Sequence, residues 1–523
     1  MIGNFSAGVS GLENAQRGLQ VTGQNLTNVN TEGYTRRRVE YVDTHYSKIG
    51  FRGKDILQVG SGVDVSCLRQ IRDTLLDQSY RNENSRMNYY TKEYEILNEI
   101  ETLLIDSTDF SGTLDELYGA ISTLSQNPDS VSARAGLIES AENFIYEAKF
   151  ISNKLDDLQG TINEQIRVEV DKANGLLEEI YILNEEISKF EISGDEASDL
   201  RDQRNAALDK LSAIIPITVT EKADSKVQVY ADGRDLYGTG TFETMSIKST
   251  GGVDGFITPI WTKAGDEIVN MNKPLNPDAN YQDGGTLKAL MMARGNVDAT
   301  YATDSKDVAL YTIPTVKQDF DKLINAVVTK INETFAPKSH VDGPYSADGS
   351  QYIELFSRIS VDRYKQDENG NYIYNAENPN DYYSLYTIDN IEVNKEVLND
   401  NNYSKLCVSR SGDVGDNTLL QDLLSDWKDK NITNDVGTTM NFESYLVYFL
   451  SDVATTAGTS KSNLEHQTTL VEATESERQS TAGVSLDEEL STLIRFQQSY
   501  SASSRVLQTI DSMIETLILS MAV

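Results

Sequence analysis

Catalysis and metal binding need particular residue types at particular spacings, and this chain of 523 residues offers few of them. Its histidines, His45, His340 and His466, do not stand at metal-ligand spacing. No G-x-x-x-x-G-K-[ST], G-x-G-x-x-G or H-E-x-x-H occurs. The stretch Gly8-Val9-Ser10-Gly11 lacks the second spacer of a nucleophile elbow. Residues 367–372, DENGNY, have the oxygen spacing of a calcium loop, but Gly370 stands fourth where an EF-hand loop needs its glycine sixth. Cys67 and Cys407 lie far apart and imply no disulfide framework. Carboxylates abound, but in so acidic a chain close pairs arise by chance and form a solvated face. No catalytic residue, cofactor or metal site is therefore expected.

Gly23 to Tyr41, GQNLTNVNTEGYTRRRVEY, concentrates the most distinctive polar chemistry. Asn25 and Asn28 are three apart on a helical pattern, beside Leu19 and Leu26. Asn30-Thr31-Glu32-Gly33 has the Asn-first, Gly-fourth order of a type I turn. Asparagine side chains compete for backbone groups and help to end a helix. Several on one face also suit amides that hydrogen-bond across an interface and set its register, as a buried polar residue does in a coiled coil. The residues alone leave both readings open. TRRRVEY then alternates, with Arg37, Val39 and Tyr41 on one face and Arg36, Arg38 and Glu40 on the other. That basic face is either solvated or meets the acidic surface of a neighbouring copy.

The elements that must position this stretch are mostly helical. Phe5, Leu12, Leu19 and Leu26 recur every seven residues, a stripe on a helix of about 25 residues. Leu486, Leu493, Tyr500, Leu507, Ile514 and Met521 do the same at the other end, widened by Leu490, Phe496, Ile510, Leu517 and Ile518. Asp487, Glu488 and Glu489 open that helix where its dipole favours negative charge. Spacings of three and four continue through Tyr90–Leu104 and Phe144–Phe190, as in a long antiparallel bundle helix. After Pro216 the period shortens to two around an Asp232-Gly233 turn, a hairpin signal. The reading is a mainly α chain with inserted β modules. Residues 1–65 and 480–523 form a coiled-coil-like terminal stem, and residues 66–215, 285–340 and 416–479 a helical bundle rod. Residues 216–284 form a β-rich outer insert, and 341–415 a second insert or an extension of the first.

Bulk properties narrow the partners. A net charge of −35 argues against nucleic acid, since phosphate contact needs clustered Lys and Arg. Residues 1–60 differ, with seven Lys/Arg (Arg17, Arg36, Arg37, Arg38, Lys48, Arg52, Lys54) against five acids (Glu13, Glu32, Glu40, Asp43, Asp55). No run approaches the ~18 apolar residues of a membrane span. The first twenty residues lack the basic and apolar regions of a cleavable signal peptide, which by itself points to the cytoplasm.

NLTNVNTEGYTRRRV resembles the N-terminal signature of bacterial flagellar rod, hook and hook-associated proteins. Gly33-Tyr34-Thr35-Arg36 is similar to the hook-associated members; hook and rod proteins usually carry Gly-Phe there. Gly483 to Ile518 is similar to the C-terminal signature, and residues 197–212 and 414–424 resemble interior segments. The resemblance implies a non-enzymatic subunit at the junction of hook and filament, exported unfolded by the flagellar type III route without cleavage, which reverses the cytoplasmic inference. It implies contact with further copies of itself, with hook protein below and a second hook-associated junction protein above, and with a cytoplasmic export chaperone on the C-terminal helix. The subunit interface would run through Phe5, Leu12, Leu19, Asn25, Leu26, Asn28, Gly33, Tyr34, Arg36, Leu486, Leu490, Leu493, Tyr500, Leu507, Ile514 and Leu517. The alternatives are a hook protein, the second junction protein, or a hydrolase carried on the flagellar axis. Tyr34 in place of Phe speaks against the first and chain length against the second. An unrelated coiled-coil adaptor is a further possibility, and it would keep ordered termini as a monomer.

Overall fold

The computed structural model describes residues 2–31, 33–44, 46–52, 55–60, 62–106, 110–192, 195–238, 241–249, 253, 255–275, 283–339, 343–366, 372–434 and 436–521. The calcium-like DENGNY loop lies outside them except for Tyr372. The chain opens with helix α1, Ile2–Thr27. Strands Arg37–Asp43 and Val63–Gln70 then pair antiparallel, and Tyr46–Arg52 pairs with Asp55–Gly60, so residues 37–70 form a β-ribbon. Helix α2, Thr74–Glu101, is capped by Asp73, whose carboxylate accepts from Leu75 N at 2.9 Å. One π-helical stretch, Thr102–Asp106, precedes α3, Phe110–Gln126. Ser130 caps α4, Val131–Glu191, and α5, Ser198–Ile214, follows.

Helix α4 is the spine. Its 61 residues span about 90 Å. It buries an unbroken stripe from Leu137 and Phe144 through Ile166 and Leu177 to Ile187. Its first half packs on α3 and later on strand Ile391–Val393; its second half receives the short sheets of residues 218–261 and then α5. Three asparagines secure those sheets. Asn163 donates to Gly255 O at 3.1 Å and accepts from Ile257 N at 3.0 Å. Asn174 pairs likewise with both backbone groups of Met245, and Asn184 with both of Val227. Each side-chain amide thus acts as the missing neighbouring strand, satisfying edge groups that burial would otherwise orphan. The β segment expected as an outer insert shares the core of the spine, with Val229, Leu236 and Trp261 buried in it.

The remaining elements close over α4. They are α6, Thr286–Arg294, the single turn α7, Ser305–Val308, and α8, Thr312–Phe335. Residues 343–416 follow with two short antiparallel strand pairs, Phe356–Arg358 with Ile391–Val393 and Tyr364–Gln366 with Tyr372–Tyr374, and α9, Lys395–Leu398, and bury Phe356, Tyr386 and Cys407. Then come α10, Thr418–Trp427, α11, Phe442–Ala482, and α12, Leu486–Met521. Helix α11 runs antiparallel to α2: Ser460 donates to Glu93 at 2.8 Å, Gln467 meets Glu83, and Arg478 lies 3.4 Å from Asp77. The main core cluster begins at Ile96 and ends at Val453, so neither terminal helix belongs to it.

Candidate assembly interface

Helices α1 and α12 pack antiparallel through small residues. A Cβ built on Gly8 would sit 3.0 Å from Leu507, and one on Gly11 2.9 Å from Ser503. On Gly18 it would sit 2.6 Å from the Phe496 ring. Ala15, Val21 and Thr22 continue this buried strip. Large apolar residues at seven-residue spacing had pointed to another face. Leu12, Leu19 and Leu26 are only half-buried at its margin, and Phe5 is exposed. Glycines that let two backbones approach carried the contact, and their spacing of three to seven along one face was the available signal.

At the inner end of this pair a buried asparagine ties three segments together. Asn25, 1% exposed, donates to Arg37 O at 2.9 Å and to Glu489 Oε2 at 3.1 Å. Its Oδ1 accepts from Arg37 N at 3.1 Å and from the Tyr34 hydroxyl at 2.9 Å. Every hydrogen-bonding position of the amide that the fold can use is filled within one chain. Arg36 completes the cluster, with Nε on Glu489 and Nη1 on Glu488, both at 2.8 Å. Burial pushes the Tyr34 phenol up, with the nearby Arg37 guanidinium opposing the shift. Arg37 also stacks 4.9 Å from the Tyr34 ring centre and pairs with Asp199 on α5. Gln70 Nε2 bonds the Ser198 carbonyl and Asp202, both at 2.9 Å. The stem is therefore joined to the rod by charged and polar contacts.

The structure thus separates the two asparagines. Asn25 is satisfied inside the chain, whereas Asn28 returns its amide to Gln24 O of its own helix at 2.9 Å, which is helix-end chemistry. The turns also differ from the expected one over residues 30–33. Thr31 N bonds Asn28 O at 3.0 Å and Tyr34 N bonds Thr31 O at 3.2 Å, which places Gly33 third in its turn. There its φ of +78° explains the glycine.

The C-terminal stripe has a different fate. Leu493 and Leu507 are partly covered, while Leu486, Leu490, Tyr500, Ile514 and Leu517 are exposed. At the observed register Ile2 lies opposite residue 512, so Met513 to Met521 run on beyond the start of α1. Met513, Ile518, Leu519 and Met521 are more than half exposed there. An exposed apolar face of this length is of the kind that marks an interaction surface. Among the described residues no helix is long and apolar enough to cross a membrane, and no group of three or more His, Cys, Asp or Glu is placed to hold a metal ion.

Known proteins show similarities over most of the chain. Residues 97–348 match the family described as the flagellar hook-associated protein FlgK helical domain. Residues 475–521 match the C-terminal family of flagellar basal body rod FlgEFG proteins, and residues 5–35 the flagella basal body rod protein family. Flagellar hook-associated protein 1 of Bacillus subtilis is 25% identical, and that of Escherichia coli 26%, with 98% of both chains covered in each case. The fold is similar to that of the flagellar hook junction protein FlgK from Burkholderia pseudomallei, with a TM-score of 0.57 and 12% identity, over 78% of this chain and 100% of that one.

Proposed function

We propose, on the premise that this chain belongs to the flagellar hook-associated protein 1 family, that it polymerises through its terminal helices. It is a structural, non-enzymatic component of the bacterial flagellum at the junction of hook and filament. The observation that carries the polymerisation reading is the apolar face of α12, which α1 covers on one side only and does not reach at all beyond residue 512. A second copy's stem offers an exposed apolar ridge of the same kind. Such contacts are heterologous and repeat around an axis. Phe5, Leu12, Leu19 and Leu26 on α1, with Leu486, Leu490, Tyr500, Ile514 and Leu517 on α12, are the residues we assign to them. Asn25, Gly33, Tyr34 and Arg36 shape the inner end of the stem from within, and Asn28 ends α1.

The same reading places hook protein below the resulting ring and a second hook-associated protein above it. It takes the chain out of the cell by the flagellar export route, with a cytoplasmic chaperone covering the C-terminal stripe beforehand. Fluorescent tagging within an exposed loop of the rod tests the assignment. One focus at the base of each filament is expected; label spread along filaments or held in the cytoplasm would overturn it.

A further inference from the structure

Apart from the terminal helices, the stem carries a second charged surface that its own chain answers only in part among the described residues. Residues 1–72 hold nine Lys/Arg against six acids, while the whole chain has a net charge of −35. Within the ribbon, Arg38 and Arg69 stand directly opposite each other in register. Like charges facing each other across two strands are destabilising unless something answers them. Glu40 pairs with Arg69 at 3.2 Å, but Arg38 is exposed and has no ion-pair partner among the described residues. The last turns of α4 carry the opposite pattern. Glu178, Glu179, Ile182, Glu186 and Phe190 form one exposed ridge at helical spacing, and the three glutamates have no ion-pair partner among the described residues.

Both surfaces lie at the same end of the rod. The ribbon base is held by Gln70 and Arg37 on residues 196–202, at the start of α5. The end of α4 is held there too, since Glu191 Oε1 bonds Ala197 N at 3.0 Å and Arg201 Nε at 2.6 Å. Copies set side by side around an axis therefore present the arginine face of one and the acidic ridge of the next at one height.

We propose that the Arg38–Arg69 face of the ribbon docks on the Glu178–Glu186 ridge of α4 in a neighbouring copy of this chain. The inference rests on the polymerisation reading and adds to it a charged contact outside the terminal helices. Because the two surfaces differ, the contact is heterologous, as a ring requires. The local excess of opposite charge is its recognition chemistry, and it weakens with salt.

The full-length chain, expressed in place of the resident copy, tests this by charge exchange. R38E/R69E should cause loss of retained filament and release of filament subunits into the medium. E179K/E186K should do the same. The chain carrying all four substitutions should regain filaments, because every copy then again bears complementary faces. Circular dichroism of the purified variants should match the parent and thermal midpoints should change little, since these side chains are exposed and so is the one ion pair lost, Glu40–Arg69. Normal filaments in R38E/R69E would overturn the proposal. Failure of the fourfold exchange to restore them would also overturn it, showing that the arginines meet some other partner. A cysteine pair, R38C with E179C in a C67S background, gives an independent readout: cross-linked dimers and higher ladders from isolated flagella are expected, and monomer alone counts against the contact. Absence of the parent protein from filament bases would sink polymerisation itself, whereas its presence with no ladder sinks only this contact.

Discussion

Alanine at position 25 would leave the Glu489 carboxylate, the Tyr34 hydroxyl and both backbone groups of Arg37 short of a partner in a buried site. An orphaned buried polar group costs about 1–3 kcal/mol. Asn25→Ala should therefore loosen the stem, read as faster hydrogen exchange over residues 34–44 and 486–492. Asn28→Ala, which loses only exposed local bonds to Gln24, Thr27 and Thr31, should change it little. Equal effects would refute this separation. Asp321 makes a second test in the rod. It is buried, accepts from Tyr301 N at 2.9 Å and Ile388 N at 2.8 Å, and desolvation raises its pKa to about 7. Lys317 opposes that shift and Asp389 adds to it. The folded chain keeps a proton that the unfolded chain loses near pH 4, so stability held below that pH is lost as pH rises towards 7. The thermal midpoint should fall between pH 5 and 8, and Asp321→Asn should flatten that slope. At this scale the sequence was legible only in part. The asparagine-rich stretch announced itself by composition, but which amide was buried depended on the approach of Glu489, 464 residues away.

Helix α1 contains a matched pair of glycines. Gly18 faces the Phe496 ring at 2.6 Å from an added Cβ, whereas Gly23 has nothing within 4 Å. Alanine is favoured over glycine in a helix interior by about 1 kcal/mol. Gly23→Ala should therefore slow exchange along the stem, and Gly18→Ala should speed it because the ring must leave its place. A uniform gain from both would show that α1 and α12 do not pack as described. Long-period elements such as α4 were readable because one residue type, large and apolar, both forms the pattern and fills the core. The α1 face that meets α12 was not legible because its packing uses residues that no hydrophobic pattern marks. The sheets of residues 218–261 were visible as alternation and an Asp-Gly turn. Their attachment to α4 rests on Asn163, Asn174 and Asn184, ordinary polar residues in a helix until the strand edges come beside them. The π-helical break at Thr102–Asp106 has no breaker residue in the sequence to announce it.

In the whole molecule the two parts differ in what holds them together. The rod shares one apolar core from Ile96 to Val453, and among the described residues no stem residue enters it. The stem holds its place through Arg36, Arg37, Gln70 and Asn25, and its exposed apolar ridge awaits another chain. That ridge is an aggregation hazard before assembly, so deleting residues 483–523 should abolish chaperone capture in a pull-down. Retained capture would place the chaperone site elsewhere. The same division predicts how the free protein comes apart. In a dilute monomer, α1 is held only by one face of α12 and by the ribbon, through Asn14 and Asn25, and most helical stability comes from tertiary packing. Limited proteolysis should remove residues 1–60 and 480–523 and leave the rod intact, with a thermal midpoint close to that of the whole chain, because the core is untouched. Raising the salt should speed release, since the partly exposed pairs Arg36–Glu488 and Arg37–Asp199 are screened while apolar burial in the rod is not weakened. In isolated flagella the same termini should resist the same protease. A monomer whose termini survive digestion would mean that the α1–α12 pair is stable alone, and the exposed face of α12 would then need another explanation than polymerisation.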